Sequence, residues 1–356
     1  MSLEDKIGQM LLVGIGGTEV NAQTQNMITN DKVGGIILYA DNINSLKGMV
    51  SLTNGLKRSN SGNPVPLFIS VDQEGGKVSR MPDEYAKIPA NGTVGASGNT
   101  AAAAMMGKLL AREVESAGFN MDFAPVLDIN SNPDNPVIGD RSFGSTSAKV
   151  IELGIAEMQG IGSEGIVPVV KHFPGHGDTS VDSHLELPVV NKTASQLAKL
   201  EWLPFQAAIK EQADAVMVAH ILYPKLDADR PASLSKVIIG QQLRKQMGFK
   251  GVVITDDLTM GAITKNYSLA AAAVDTVLAG SDILLVAHEY ANEQAARNAL
   301  LAAVKSGKIS EARIDESVYR ILSLKQKYRL TDEPVPVPDL TELNHEIKIW
   351  RNQLSK

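Results

Sequence analysis

The chain has 356 residues, of which 44% are hydrophobic and 21% are charged, and its net charge is -6 at pH 7. A net negative chain without a long run of Lys or Arg is a poor candidate for nucleic-acid binding, which requires a basic surface. The absence of cysteine excludes a disulfide framework, a zinc site with Cys ligands and a thiol nucleophile. The composition is typical of a globular protein with a sizeable core.

No stretch of about 18 apolar residues is present, so we expect no membrane span. The chain begins Met-Ser-Leu-Glu-Asp, which is not the pattern of a signal peptide. This start is compatible with a cytoplasmic protein, and equally with an exported protein whose signal segment preceded Met1. The sequence does not fix the oligomeric state, and a monomer is compatible with it.

Eight short apolar segments alternate with longer segments of helical periodicity. The predicted strands are Gly8–Gly14, Val33–Tyr39, Leu67–Asp72, Asn120–Asp128, Val167–His172, Ala215–His220, Gly251–Asp256 and Asp282–Ala287. Several are apolar at nearly every position, which is typical of parallel strands buried on both faces. Eight β-then-α units in a row predict an α/β fold, a closed (β/α)8 TIM barrel; an open doubly wound sheet is the alternative.

The segments between the strands and after them have helical patterns. The predicted helices are Thr100–Ala117, Thr193–Gln212, Leu269–Leu278, Asn292–Lys305 and Ser310–Lys327. Residues 331–339 are rich in proline and predict an extended strap, and residues 341–354 predict a short helix. We therefore expect a single barrel domain over residues 1–330 and a tail over residues 331–356.

Ionisable residues end or follow six of the eight predicted strands. In an α/β barrel the active site lies at the carboxyl ends of the strands. The residues concerned are Asp72 and Glu74, Asp128, Lys171 and His172, His220, Asp256 and Asp257, and His288. Their coincidence at one end of the barrel favours an enzyme over a structural barrel, although His220 and His288 are equally compatible with buried, hydrogen-bonded core histidines.

The richest segment runs from Lys171 to His184 and holds three of the six histidines. Three interpretations of it stay open. The first is a metal site with ligands from His172, His176, Asp178 and His184. The second is a rigid Pro/Gly loop whose histidines bond to the backbone. The third is an acid–base pair in which Asp182 orients the imidazole of His184.

This segment resembles the signature of bacterial glycoside hydrolase family 3, in its β-N-acetylglucosaminidase branch. Further segments resemble the family in the same order along the chain, from about residue 3 to residue 330. They are Leu3–Met10, Val71–Gly76, Gly139–Gly144 and Ile254–Met260. A chance match to all of them is very improbable.

The resemblance implies a retaining exo-glycosidase that acts through a covalent glycosyl-enzyme, without metal or cofactor. Asp256 matches the nucleophile, His184 the general acid/base and Asp182 the partner that orients it. Asp257 follows Asp256 directly, and because side chains alternate along a strand we expect it to point toward a structural partner. Gly175 and Gly177 predict a mobile loop that ends at His184.

The resemblance also implies five sugar-binding residues, namely Asp72, Arg80, Arg141, Lys171 and His172. The leading hypothesis is hydrolysis of terminal non-reducing β-N-acetylglucosamine from cell-wall (peptidoglycan) fragments or short amino-sugar oligomers, so the expected partner is an amino-sugar glycoside. The alternatives are a β-glucosidase-type exo-hydrolase, a metal-dependent barrel hydrolase and a sugar-binding protein without catalytic activity.

Overall fold

The computed structural model describes residues 1–354, and its centre is a barrel of eight parallel strands. The strands are β1 (Leu11–Gly14), β2 (Gly35–Leu38), β3 (Phe68–Val71), β4 (Met121–Asp122), β5 (Val167–Phe173), β6 (Ala215–Val218), β7 (Val252–Thr255) and β8 (Leu284–Val286). Nearly all of their residues are buried, as expected for parallel strands covered on both faces. The predicted (β/α)8 barrel is confirmed, and the open sheet is wrong.

The barrel closes by pairing its last strand with its first. The hydrogen-bonded order runs from β7 down to β1 and then to β8, where Leu11 pairs with Leu284. A parallel bridge between Ile254 and Ile283 joins β7 to the segment before β8. The carboxyl ends of all eight strands therefore meet at one mouth.

Thirteen α-helices and one π-helix surround the strands within the described residues. They are α1 (Leu3–Gln9), α2 (Ala22–Thr29), α3 (Leu46–Ser59), α4 (Asn91–Ser97), α5 (Thr100–Ser116), α6 (Ser147–Ser163), α7 (Ala194–Ala198), α8 (Leu203–Lys210), the π-helix Lys236–Gln246, α9 (Gly261–Thr264), α10 (Leu269–Ala279), α11 (Tyr290–Lys305), α12 (Glu311–Lys327) and α13 (Thr341–Leu354). Polar residues begin several of them: Asn99 caps α5 and Ser310 caps α12, each accepting a bond from a backbone N–H three residues on.

Among the predicted boundaries that differ from the structure, three differ for identifiable local reasons. Ser2 and Asp5 form a capping box that makes residues 3–9 helical, so β1 begins at Leu11 and not at Gly8. The helix predicted over residues 193–212 is two helices, because the chain turns before Pro204 in the first turn of α8. The fourth strand is shorter than predicted, and Pro125 within the predicted span has no N–H to donate to a ladder.

The tail runs back along the outside of the barrel. Asn54 exchanges two hydrogen bonds of 2.8 Å with the backbone of Val335, and the indole N–H of Trp350 donates to the carbonyl of Ala102 at 3.1 Å. The division of the chain at residue 330 stays a prediction. The last two residues of the predicted tail, 355 and 356, lie outside the described residues. Within residues 1–354, no helix is both long enough and apolar enough to cross a membrane.

Candidate active site

A cavity of about 190 Å³ opens at the mouth of the barrel, and we call it the strand-end pocket. Seven of the eight residues predicted for the site line it. They are Asp72, Arg80, Arg141, Lys171, His172, His184 and Asp256. The eighth, Asp182, is hydrogen-bonded to His184. Side chains from the ends of β3, β5 and β7 and from the loops after β3, β4 and β5 thus meet in one place.

A buried ion cluster forms one side of the strand-end pocket. The ammonium of Lys171 lies 2.7 Å from Asp72 Oδ1 and 2.6 Å from Glu74 Oε1. Arg141 binds Glu74 through two parallel bonds, from Nε to Oε2 at 2.8 Å and from Nη2 to Oε1 at 2.7 Å. Burial alone would raise the pKa of Glu74, but Lys171 and Arg141 hold that pKa well below its ordinary value. Glu74 therefore stays ionised and fixes both cations.

Replacing Lys171 by Met is expected to lower the free energy of unfolding by about 3 kcal/mol, because it leaves the buried Glu74 with one cation fewer. Urea denaturation at pH 7 measures the loss. Lys77→Met is the matched control, since Lys77 lies in the neighbouring loop, is exposed and pairs with Asp140 at 3.5 Å. Such a surface pair contributes at most about 1 kcal/mol. Equal losses in the two variants would contradict the description of the cluster.

Arg80 is held at the pocket through its backbone. Its N–H donates to Gln73 Oε1 at 2.8 Å, and Gln73 Nε2 donates to Glu113 Oε2 at 2.7 Å. Within residues 1–354 the buried Nε of Arg80 has no hydrogen-bond partner. Burial of Glu113 in α5 raises the pKa of its carboxyl to about 8, although Gln73 and Lys87 act in the opposite direction. A neutral Glu113 thus anchors the loop that carries Arg80.

The raised pKa of Glu113 predicts a pH-dependent stability. Between its ordinary pKa of 4.5 and about 8, the folded chain keeps a proton that the unfolded chain releases, so the free energy of unfolding falls as pH rises. Glu113→Gln keeps the shape of the side chain but cannot titrate. The free energy of unfolding of this variant, minus that of the wild type, is therefore expected to rise by about 3 kcal/mol from pH 5 to pH 8. Urea denaturation of both proteins at the two pH values measures this. A constant difference between them would contradict it.

Asp256 follows β7 directly and is partly exposed to the pocket. Its Oδ1 accepts the backbone N–H of Asp257 at 2.8 Å. Burial raises the pKa of Asp256, but His220, His172 and the Asp257 amide more than offset this, and the pKa lies below its ordinary value. The carboxylate of Asp257, which also lines the strand-end pocket, accepts the backbone N–H groups of Thr259 at 2.9 Å and Ala287 at 3.0 Å, and its purely structural role stays a prediction.

His184 lies on the loop after β5 and lines the same pocket. Its ring Nδ1 is 2.8 Å from Asp182 Oδ1, and its backbone N–H donates to the same oxygen at 2.9 Å. Burial opposes ionisation of Asp182, but these two bonds hold its pKa below the ordinary value. An ionised Asp182 accepts a hydrogen bond from Nδ1–H, which fixes the tautomer and leaves Nε2 of the largely exposed imidazole to react.

Two backbone bonds hold this loop over the strand-end pocket. Gly261 N–H donates to the carbonyl of His184 at 3.1 Å, and Ala262 N–H donates to that of Ser183 at 3.2 Å. Because both donors belong to α9, which follows β7 and Asp256, His184 and Asp256 line the same pocket. The mobility predicted for the loop stays a prediction.

The other two histidines of the segment are engaged by neighbours. His172 Nδ1 lies 2.7 Å from Asp128 Oδ2, and Asp128 Oδ1 accepts the backbone N–H of His176 at 2.7 Å. The ring of His176 bonds to Thr179 at 2.9 Å and Ser183 at 3.1 Å, and burial lowers its pKa to about 4. In the part of the chain that the structure describes, no three His, Asp or Glu side chains are placed to hold a metal ion. Both ring nitrogens of His176 are engaged by side chains of its own loop.

The two histidines left open by the sequence have different environments. His220 is fully buried, with Nδ1 2.6 Å from Ser233 Oγ and Nε2 2.8 Å from the carbonyl of Asp257. It is a hydrogen-bonded core histidine beneath the segment that carries Asp256. His288 is mostly exposed, lines the pocket and stacks on Tyr39 at a centroid distance of 5.5 Å.

The family model for the "Glycosyl hydrolase family 3 N terminal domain" matches residues 2–324. The chain belongs to glycoside hydrolase family 3. It is 35% identical over 334 residues to a beta-hexosaminidase A of Pseudoalteromonas piscicida, an alignment that covers 87% of the chain and 56% of that relative. It is 34% identical over 285 residues to a beta-hexosaminidase of Idiomarina loihiensis, which covers 79% of the chain and 84% of the relative.

Solved structures agree with this family assignment. A glycoside hydrolase family 3 beta-N-acetylglucosaminidase from Paenibacillus sp. strain FPU-7 superposes with a TM-score of 0.92 and 42% identity, covering 98% of the chain and 69% of that protein. The family predicted from the sequence is thus confirmed, and the relatives' names bear out the predicted enzyme class, β-N-acetylhexosaminidase.

Glu74, Asp128 and Glu113 support this family 3 site, but the sequence analysis did not predict them as site residues. Glu74 and Asp128 stand at predicted strand ends, so their position was a usable signal, but only the structure shows that they hold Lys171 and His172. Glu113 lies in a helix far along the chain from Gln73, and no sequence pattern indicates that contact.

Proposed function

We propose that this family 3 chain is a retaining exo-glycosidase that removes terminal, non-reducing β-linked N-acetylglucosamine through a covalent glycosyl-enzyme. The observation that carries the proposal is one pocket that combines an ionised aspartate, an imidazole oriented by a second aspartate, and a fixed cluster of cations. The names of the relatives support the amino sugar as substrate. Cell-wall fragments and short amino-sugar oligomers are the expected sources of such ends.

In the first step, Asp256 attacks the anomeric carbon and the bond to the leaving oxygen breaks. The lowered pKa keeps Asp256 ionised at neutral pH, which a nucleophilic carboxylate requires. Oδ1 is held by the Asp257 amide, so Oδ2 is the oxygen that forms the ester. His184, as imidazolium, gives the proton of Nε2 to the leaving oxygen.

In the second step, water replaces the enzyme at the anomeric carbon. Neutral His184 takes a proton from the water through Nε2, the water oxygen bonds to the anomeric carbon, and Asp256 leaves as a carboxylate. Asp182 stabilises the imidazolium in both steps and fixes the tautomer. Two displacements at one carbon retain its configuration.

The ion cluster provides recognition of the end of a chain. Asp72 can accept bonds from adjacent sugar hydroxyls, while Lys171, Arg141 and Arg80 supply donors, and Glu74 fixes two of these cations. Because buried side chains close this side of the pocket, a sugar bound there has no room for a further residue beyond its far hydroxyls. The proposed action is therefore exo.

Turnover of 4-nitrophenyl N-acetyl-β-glucosaminide and of the matching β-glucoside tests this function. The proposal predicts cleavage of the amino sugar and at least about a tenfold preference for it in kcat/KM. Preference for the glucoside would support the β-glucosidase alternative. Binding of N-acetylglucosamine without turnover of either compound would support a sugar-binding protein and overturn the proposal.

A further inference from the structure

The imidazole of His184 is not held in place by packing. Its side chain is 65% exposed, and within residues 1–354 its ring bonds only to Asp182. From residue 180 to residue 187 the chain is exposed or half-buried at every position except Ser183, which is 2% exposed. The orientation of the His184 side chain therefore depends on the backbone of its loop, and Ser183 is the residue that anchors this backbone.

Ser183 is anchored at two atoms. Its carbonyl accepts the N–H of Ala262 at 3.2 Å, and its hydroxyl oxygen lies 3.1 Å from Nε2 of His176. Both Ser183 and His176 are buried and line the strand-end pocket. The side-chain bond therefore joins the two ends of the loop directly beside the site.

The direction of the Ser183–His176 bond follows from a neighbouring hydroxyl. Thr179 Oγ1 donates its one proton to the carbonyl of His176 at 3.1 Å, so it can only accept from Nδ1 of that ring, 2.9 Å away. Burial lowers the pKa of His176 to about 4, which keeps the ring neutral at pH 7. Its single proton is then on Nδ1, and Nε2 accepts the hydrogen bond that the Ser183 hydroxyl donates.

His176 is fixed to the barrel on its other side. Its backbone N–H donates to Asp128 Oδ1 at 2.7 Å, and its carbonyl accepts a bond from Asn135 Nδ2 at 2.9 Å. Asp128 is fully buried, and its Oδ2 lies 2.7 Å from Nδ1 of His172, which is predicted to bind the sugar. The Ser183–His176 bond thus ties the loop that carries His184 to the strand end that carries His172.

We propose that the hydrogen bond from Ser183 to His176 positions His184 for proton transfer, which makes Ser183 and His176 positioning residues of the acid–base steps. The inference rests on the proposed function and deepens it. Without the hydroxyl, Nε2 of His176 is buried without a donor, and Ser183 keeps only its backbone bond to α9. The imidazole of His184 is then held less well at the leaving oxygen, while the sugar-binding residues keep their places.

Ser183→Ala removes the donor, and its effect is expected to depend on the leaving group. We expect kcat/KM for N,N'-diacetylchitobiose to fall by about tenfold, the value of one hydrogen bond. We expect kcat/KM for 4-nitrophenyl N-acetyl-β-glucosaminide to fall by less than about threefold, because nitrophenolate departs without a proton. Competitive inhibition by N-acetylglucosamine reports on the sugar-binding residues and is expected to stay unchanged.

Ser180→Ala is the matched control, because Ser180 is an exposed serine of the same loop whose side chain makes no hydrogen bond within the described residues. It is expected to leave both kcat/KM values and the inhibition by N-acetylglucosamine unchanged.

His176→Asn tests the other end of the bond. The shorter amide can replace Nδ1 as the donor to Thr179, but it does not reach Ser183. We expect the same selective loss for the disaccharide. In the double variant Ser183→Ala/His176→Asn, we expect a loss no greater than the larger single loss, because both changes remove the same bond. Losses that multiply in the double variant overturn the proposal.

The two substrates separate this inference from the proposed function. If the wild type cleaves both, the positioning role alone is overturned by a Ser183→Ala variant with no loss, with equal losses for the two leaving groups, or with weaker inhibition by N-acetylglucosamine. A loss that Ser180→Ala reproduces does the same. No turnover of the aryl amino sugar by the wild type overturns the proposed function as well. Circular dichroism identifies a variant that is not folded, and the selective loss in the other single variant then decides.

Discussion

Asp256→Asn is expected to lower kcat for 4-nitrophenyl N-acetyl-β-glucosaminide by about 10⁴-fold or more, because the amide cannot form the glycosyl ester. The shape of the strand-end pocket is kept, and Oδ1 still accepts the Asp257 amide. Steady-state kinetics measure the loss, and circular dichroism confirms that the variant is folded.

Chemical rescue distinguishes a lost nucleophile from a disturbed pocket. Asp256→Gly leaves space for azide, which then attacks the anomeric carbon from the face that the carboxylate occupied. We expect restored turnover of the aryl glycoside and an α-glycosyl azide, the product of a single displacement. A kcat for Asp256→Asn within tenfold of the wild type, or a β-azide from the rescued variant, would contradict the role of Asp256.

His184→Ala has the second-largest expected effect. It is expected to lower kcat/KM for N,N'-diacetylchitobiose by about 10²-fold to 10⁴-fold, since the leaving alkoxide then departs without a proton. The loss in the glycosylation step is expected to be smaller for the 4-nitrophenyl glycoside, whose leaving group is stable as an anion. Kinetics with both substrates measure this difference.

A control and a second variant make the His184 prediction specific. His345→Ala removes an exposed histidine of α13 and is expected to leave both rates unchanged. Asp182→Asn keeps the imidazole but weakens its orientation and the stabilisation of its charged form. We therefore expect it to lower kcat/KM for both substrates in the same pattern as His184→Ala, but by smaller factors. Equal losses for both leaving groups in His184→Ala would argue against proton donation by this residue.

The fold was predictable because each unit carries a local signal. Strands buried on both faces are apolar at nearly every position, and polar caps such as Asn99 and Ser310 begin the helices between them. The errors arose where a local feature competes with periodicity. The capping box of Ser2 and Asp5 extends a helix over Gly8, and Pro204 begins a new helix inside a continuous apolar pattern.

The site was predictable only in part, because strand ends are local but contacts between them are not. Asp256 and Lys171 stand at strand ends, and the barrel topology alone brings them to one mouth. The bonds that hold Lys171 to Glu74 and Gln73 to Glu113 join residues 97 and 40 positions apart. Such pairings depend on the register of neighbouring strands and on side-chain rotamers, which a single sequence does not specify.

Histidine environments illustrate the same limit. His220 and His288 both follow strands, yet the first is buried against Ser233 and the second is exposed on Tyr39. The difference arises because the segment after β6 brings Ser233 against His220, whereas the loop after β8 leaves His288 exposed at the strand-end pocket. No periodicity in the sequence separates these two cases.

The most direct test of the covalent mechanism is trapping of the glycosyl-enzyme with a ring-fluorinated N-acetylglucosamine that carries a good leaving group, since fluorine slows hydrolysis of the intermediate by destabilising its oxocarbenium-like transition state. Mass spectrometry of the intact chain and of its proteolytic peptides gives the stoichiometry and the position of the label. We predict one sugar per chain, attached to the peptide that contains Asp256, and no label on Asp256→Asn. A label on any other residue, or turnover of the reagent by a chain that never becomes labelled, would contradict Asp256 as the nucleophile.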